Sequence, residues 1–451
     1  MVVVGAGLAG LTAAHFLARK GLSVRVLEAA DRVGGRMTSD CLGGHVVDRG
    51  AQFLSSEYGV VRGLLRDVRL ESDLRDTSQC SAVVRGGKPL RVRARSPLDV
   101  IRLLGARSCW RLWWKTREVL RRKDAPSLSD YSQWENEDTE SVASWSNREF
   151  SIETTERFFE PMLQGFFFQT PEETSKALGV VLTGFGGRRA RTMGLVNGLG
   201  SLPEALAQGV DVLLGRSVRA VGTEGGEAVV HTETEIHRAS RVILAVPAPV
   251  AQKLFSAPRD PLTEGLLATP YSASLNVACV TDPEFRLPKT LRKAYGLLIP
   301  RAERSLIAAV GIENNKRPPR GPGHLLHLLF SDGAARRFLG KPDPEVLSAA
   351  LSSVEGVLPR LARQVLHTRV YRWPMAEPRS PVGRSAALAA YRRRCAETLP
   401  VFLLAGDYMS MPFTEGAAES GRWAAEAIVK NMDRRTEGVV LSHPPRPDSV
   451  N

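Results

Sequence analysis

The sequence predicts an α/β protein with a discontinuous nucleotide-binding half and a second half of helices and antiparallel strands. Three observations carry this reading. A strand, a glycine-rich turn and an amphipathic helix fill the first twenty residues. Short apolar strands ending in small residues recur near both 242 and 402. Between them the hydrophobic period switches from helical to strand-like. At 451 residues the chain exceeds one ordinary core, so two domains are expected.

Met1-Val-Val-Val4 reads as a buried strand, Leu8 to Lys20 as a helix closed by Gly21, and Leu22 to Leu27 as a second strand. Between the first two lies Gly5-Ala-Gly7-Leu8-Ala9-Gly10, the spacing of a Rossmann-type dinucleotide turn. Gly5 permits the tight turn, Gly7 lets the backbone approach a pyrophosphate, and Gly10 lets helix and strand pack closely. Leu8 and Ala9 open the helix, whose free N–H groups and positive dipole end suit phosphates. Glu28, eighteen residues beyond Gly10, ends the second strand and can accept bonds from ribose hydroxyls, which disfavours a 2′-phosphate.

Bulk properties narrow the remaining classes. The five cysteines are scattered without a CxxC pair, which suits a reducing compartment and a cytoplasmic location. His324 and His327 are three apart in a strand-like segment and so face opposite sides; no metal site is expected. The apolar N-terminus lacks the basic region of a signal peptide, and no run reaches the roughly 18 apolar residues of a membrane span. The net charge of +13 admits nucleic acid, an anionic membrane surface or an acidic substrate, or only codon composition. No basic-aromatic module accompanies it, and nucleic acid binding is not expected.

After Glu28 the chain reads Ala29-Ala-Asp-Arg32-Val-Gly34-Gly35-Arg36. This resembles the E-A-x-x-R-x-G-G-R continuation of the flavin amine oxidase superfamily, which includes protoporphyrinogen oxidases and carotenoid desaturases. Gly50-Ala51-Gln52-Phe53, after the strand His45 to Asp48, resembles that family's next cofactor-contacting turn. Asn197 to Pro203 resembles the turn that opens its central helix, and Val218 lies in a strand whose equivalent meets adenine through its backbone. Val242 to Pro247 resembles the closing strand of the nucleotide domain. Near the C-terminus, Gly406-Asp407 and Glu415-Gly416-Ala417 resemble the segments that hold the ribityl chain and point a helix N-terminus at the flavin. The resemblance implies FAD as cofactor in a GR2-like Rossmann-type domain, with an α+β substrate domain carrying an antiparallel sheet and a helical insertion. Arg36 would offer its donor fork to phosphate or ribityl oxygens, and Asp407 would accept a ribityl hydroxyl.

The expected partition is 1–70, 190–250 and 385–435 for FAD binding, with 71–189 (helical) and 251–384 (sheet) for substrate and 436–451 as a disordered tail. Helical patterns span 98–123, 141–150 and 155–168; strand patterns span 275–281, 294–300, 305–312, 325–330 and 368–373. Phe413 aligns with an aromatic wall of the amine oxidase cage; its alternative is a core phenylalanine under the last helix. Trp373 is the other cavity candidate, within Arg372-Trp-Pro374-x-Ala376-x-Pro378, which resembles an element of protoporphyrinogen oxidases. The stretch 374–383 holds neither an aromatic pair nor a flavin-linking cysteine, so the FAD is expected to be non-covalent. Lys289 and Lys293 lie where some amine oxidases keep a lysine near flavin, and neither is assigned that role.

Ile101 to Lys123 carries eight basic residues and one acid, Glu118, interleaved with Trp110, Trp113, Trp114 and leucines. Such a helix lies in a membrane interface, or else is a solvated basic face over a buried apolar stripe. The leading expectation is an FAD-dependent oxidase that removes hydride from a hydrophobic small molecule, protoporphyrinogen-oxidase-like, with O2 as acceptor. The alternatives are an amine oxidase, a desaturase-like dehydrogenase feeding quinone, and a non-catalytic flavoprotein. The enzyme is expected in the cytoplasm, with the inner membrane face as a possible site of peripheral attachment.

Overall fold

The computed structural model describes residues 1–93, 96–121, 126–187, 190–255 and 259–441. Five short parallel strands form the first sheet, in spatial order 211–213, 25–27, 2–4, 242–244, 402–404. Its central residues Val3, Val26, Ile243 and Leu403 are buried, as an all-parallel sheet covered on both faces requires. The helix Leu8–Arg19 covers one face, and the last helix, Thr414–Leu441, packs against it. The fit is backbone to backbone: a Cβ on Gly421 would lie 2.1 Å from the carbonyl oxygen of Ala9. That last helix runs past residue 435, where a tail was expected to begin. The stretch 436–441 holds one glycine but no proline, and extending a helix already formed needs only one more bond per added residue. Residues 442–451 of that tail, and Arg122 and Lys123 of the basic stretch, lie outside the described residues.

The second sheet has seven strands, in the order 365–373, 274–281, 325–330, 307–312, 296–298, 80–85, 88–93. Two corrections follow. The stretch 71–189 is not purely helical, because Cys80–Arg85 and Lys88–Arg93 form a hairpin in this sheet. Its turn, Gly86-Gly87, has positive φ at both residues (58° and 73°), the geometry that Gly-Gly turns supply. The sheet is also not wholly antiparallel, since Gly296–Leu298 pairs in parallel with the incoming strand Cys80–Arg85.

The basic stretch is two helices rather than one, Pro97–Leu104 and Ala106–Arg121. Gly105 separates them at φ +81°, a conformation that ends a helix at little cost only for glycine. The pattern 155–168 is a π-helical turn, Thr155–Phe159, continuing into Glu160–Phe167. Phe168 then stops the helix with φ +54°, rare for an aromatic residue.

Candidate active site

A cleft of about 360 Å³ opens where the parallel strands end. Gly5, Glu28, Ala245 and Gly406 line it, each just past the carboxyl end of one strand, where ligands bind in open α/β sheets. The glycines divide the work. At Gly5 (φ +100°) a Cβ would press on Ala245, and at Gly10 it would lie 2.0 Å from the Gly5 carbonyl oxygen. At Gly7 it would meet nothing within 4 Å, because that face looks into the cleft. Leu8 and Ala9 line the cleft beside it, and Gly10 stands behind. No side chain caps the helix Leu8–Arg19 and its first turn holds no acid, so its N–H donors remain available to a phosphate.

At the nucleotide end, the Glu28 carboxylate accepts from the N–H groups of Ala6 (2.7 Å) and Ala30 (2.9 Å) while still lining the cleft. Arg216 N–H donates to the Glu28 carbonyl at 2.7 Å. This ties Val218, which is outside the lining, to the same corner. Pro247 lines the cleft at the start of the helix Ala248–Leu254. Ala29 and Arg32 are exposed and outside it, Arg32 being turned toward Asp40.

In the middle, Gly34, Gly35 and Arg36 line the cleft. The Arg36 guanidinium bridges to Asp407, with Nη1 2.7 Å from Oδ2 and Nη2 donating to Oδ1 at 3.0 Å, and Nη1 also donates to the Ala376 carbonyl at 2.6 Å. Burial opposes the charge on Arg36, but the Asp407 carboxylate more than offsets it and holds Arg36 above its ordinary value. Gly50 and Ala51 line the cleft, whereas Gln52 and Phe53 support it from outside. Gln52 donates to the carbonyls of Asp48 and Gly50, and Phe53 packs edge-on against Phe166 and Tyr295.

Of the C-terminal trio, only Ala417 reaches the cleft. Gly416 is pressed against Met411, where a Cβ would lie 2.0 Å from a carbonyl oxygen. Glu415 is buried and caps a different helix, Gly59–Asp67, accepting from Val60 N–H (2.8 Å), Val61 N–H (2.9 Å) and the Ser129 hydroxyl (2.7 Å). Two orphan N–H donors at a helix start hold a carboxylate more firmly than an open cleft can.

The far end is apolar. Phe413 and Trp373 both line it, joined by Phe168, Met375 and Met37. Phe413 stacks on Tyr58 with ring centroids 5.6 Å apart, and the Trp373 indole N–H donates to the Arg49 carbonyl at 2.9 Å. Ser274, Asn276 and Thr414 add polar groups to the lining, and Glu377 adds one beside the Arg36–Asp407 pair where the middle meets the chamber; sequence reasoning missed all four. Asn276 was legible only as a position of the strand expected over 275–281, and Ser274 fell just before it; nothing local marks which face is the cleft. Lys289 and Lys293 are exposed and outside the lining.

The fit of a dinucleotide carrying a redox ring is direct: a glycine cradle with open N–H donors, a polar middle, and an apolar chamber at the end. These features define an FAD-binding oxidoreductase, an enzyme with a Rossmann-type cofactor domain and a separate substrate domain. The chain belongs to the family of flavin containing amine oxidoreductases, whose model matches residues 8–429. It is 23% identical to protoporphyrinogen oxidase 2 of Arabidopsis thaliana, over 96% of this chain and 94% of that one. It is 25% identical to coproporphyrinogen III oxidase of Mycobacterium leprae, over 96% and 98%. In structure it resembles a putative protoporphyrinogen oxidase from Exiguobacterium sp. 255-15, with a TM-score of 0.76 at 19% identity over 95% and 98% of the chains.

Proposed function

We propose that this flavoenzyme is an oxidase of the protoporphyrinogen-oxidase type, taking hydride from a carbon of a hydrophobic cyclic substrate, with dioxygen as electron acceptor. When bound, FAD supplies the hydride-accepting ring. The substrate loses a hydride and a proton, and dioxygen is reduced to hydrogen peroxide. The observation that carries this reading is the state of the carboxyl groups around the chamber. Asp407 is taken by Arg36, and burial together with Asp407 pushes the Glu377 carboxyl well above the usual carboxylate range. An ammonium substrate would find no free carboxylate among these, whereas Phe168, Trp373, Met375 and Phe413 offer apolar walls.

The test is anaerobic mixing of the yellow holoenzyme with a porphyrinogen or with a primary amine, followed by air. Bleaching by the porphyrinogen and prompt return of colour in air is expected. Bleaching by the amine alone would favour an amine oxidase. Slow recovery in air but fast recovery with a quinone would favour a dehydrogenase, and no bleaching at all a non-catalytic flavoprotein.

A second observation supports peripheral action at an anionic membrane surface, the inner face of the cytoplasmic membrane being the natural one. Trp110, Trp113 and Trp114 are 62%, 49% and 58% exposed and lean on one another, with Leu98 and Ile101 also exposed nearby in sequence. Arg102, Arg107 and Arg121 are exposed on the same helix pair, and Arg117 lies over the Trp113 ring. Its inner side packs Leu103 and Leu104 with Phe168, Ala376 and Trp373, so the patch backs onto one wall of the chamber. No helix among the described residues is long and apolar enough to cross a membrane.

A further inference from the structure

Glu377 projects into the cleft from a tightly held loop. Ser272 holds its carbonyl, by N–H at 2.8 Å and by hydroxyl at 3.1 Å, and Arg36 holds the preceding carbonyl of Ala376 at 2.6 Å. The backbone therefore gives the side chain little freedom to leave. Arg36 faces it, but the short bonds of that guanidinium go to Asp407 and Ala376. Among the described residues the Glu377 carboxyl has no hydrogen-bond or ion-pair partner, although it lines the cleft beside that pair. The other titratable groups around it are Asp407, Tyr271 (beneath Arg36) and Tyr58. Arg384 stands behind, donating to the Asp407 carbonyl at 3.1 Å.

We infer that Glu377 is a cofactor-binding residue that works in its neutral form, donating a hydrogen bond to the oxygen-rich middle of bound FAD and weakening that binding when it ionises. Asp407 already offers a charged acceptor to a ribityl hydroxyl, so a neutral carboxyl beside it adds the donor that the cradle otherwise lacks there. Phosphate oxygens only accept, ribityl hydroxyls can also donate, and a neutral carboxyl supplies one O–H donor. An ionised Glu377 would instead add a second negative charge beside Asp407 and face the phosphates with repulsion. Burial and the Asp407 charge both favour the neutral form, and Arg36 opposes them only in part. The inference rests on FAD being the cofactor, not on which substrate is oxidised, so the porphyrinogen test and this one can fail separately.

The experiment is titration of FAD into the apoprotein, followed by flavin fluorescence, across the whole pH range over which the apoprotein keeps its native circular dichroism spectrum. Three proteins are compared: wild type, Glu377→Gln, which keeps a donor but cannot ionise, and Glu377→Met, which keeps bulk but has no donor. Wild-type affinity should be flat and then fall, approaching about tenfold per pH unit once this single proton is lost. Glu377→Gln should bind within about threefold of wild type at neutral pH and lose that fall, and Glu377→Met should bind on the order of tenfold more weakly. Persistence of the fall in Glu377→Gln, or wild-type affinity in Glu377→Met, would overturn the inference. Should either variant lack a native circular dichroism spectrum, the infrared carboxyl band of the wild type decides. A protonated band present at neutral pH that moves when FAD is added supports the assignment; an absent or unmoved band refutes it.

Discussion

Arg36 and Asp407, 371 positions apart, meet across the middle of the cleft in a two-pronged ion pair of 2.7 and 3.0 Å. One follows the second strand of the parallel sheet and the other its last, so the pair joins the two ends of the chain at the place where the ribityl chain of FAD is expected. Asp407→Ala should therefore weaken FAD binding by about 1.5–3 kcal/mol, the range for a bond to a charged group. Titration of the apoprotein checks this. Unchanged affinity would mean that Asp407 serves only to hold Arg36.

Two glycines of the same motif should respond oppositely. Gly7→Val should leave the apoprotein folded, because a Cβ there meets no protein atom within 4 Å, yet yield colourless protein because the side chain fills the pyrophosphate space. Gly10→Val should lower the melting temperature itself, since its Cβ would collide with the Gly5 carbonyl oxygen at 2.0 Å. Thermal melts of both apoproteins, with the flavin absorbance of the purified proteins, separate the two effects. Denaturation should release intact FAD into solution; flavin retained in the pellet would mean a covalent bond.

Glu377 should also shape apoprotein stability. Its folded-state pKa is raised, so above the ordinary carboxylate value the unfolded chain loses a proton that the folded chain keeps, and stability falls as pH rises toward the folded pKa. Glu377→Gln removes that loss. Its apoprotein should match wild type in acid and exceed it at neutral pH, as urea melts at several pH values would reveal.

Asp48 is a joint between the two halves. It accepts from Leu199 N–H at 2.8 Å and pairs with Lys316 at 2.6 Å and with Arg317, all three side chains being almost fully buried. Burial opposes its charge, but the two cations hold it below the usual carboxylate range. Asp48→Asn should cost about 3–5 kcal/mol by leaving buried cations uncompensated. A change below about 1 kcal/mol in denaturant melts would show that Glu313, 3.0 Å from Lys316, suffices.

The tryptophans of the helix Ala106–Arg121 should be dispensable for folding. Replacing Trp113 and Trp114 by Ala should change stability by no more than about 0.5 kcal/mol, as surface substitutions do, against about 3–5 kcal/mol for core tryptophans. Binding to anionic vesicles should drop in the same variant and weaken with salt in the wild type. Equal vesicle binding by both proteins would remove the membrane reading.

What was readable without coordinates was what the chain encodes locally. Gly5, Gly7, Gly10, Glu28 and Gly34-Gly35-Arg36 lie within 32 residues, and their spacing follows from one strand, one turn and one helix. The hairpin Cys80–Arg93 has the same kind of local signal, Gly86-Gly87 between two strand-like runs, but the helical pattern around it masks that signal, and 71–189 reads as helical. Folding decided the rest, because a side chain's orientation depends on partners far away in sequence. Glu415 and Asp407 are both acids within a family motif; only the arrival of the free N–H groups of Val60 and Val61 turned Glu415 from the cofactor to a helix cap. Phe168, Asn276 and Glu377 come from three separate segments and share a cleft because two sheets and a helix meet there. The sequence by itself therefore determined the cofactor cradle, through short-range backbone geometry. The tertiary structure alone decided which side chains face the chamber and in what charge state, because burial and electrostatic pairing act between residues hundreds of positions apart.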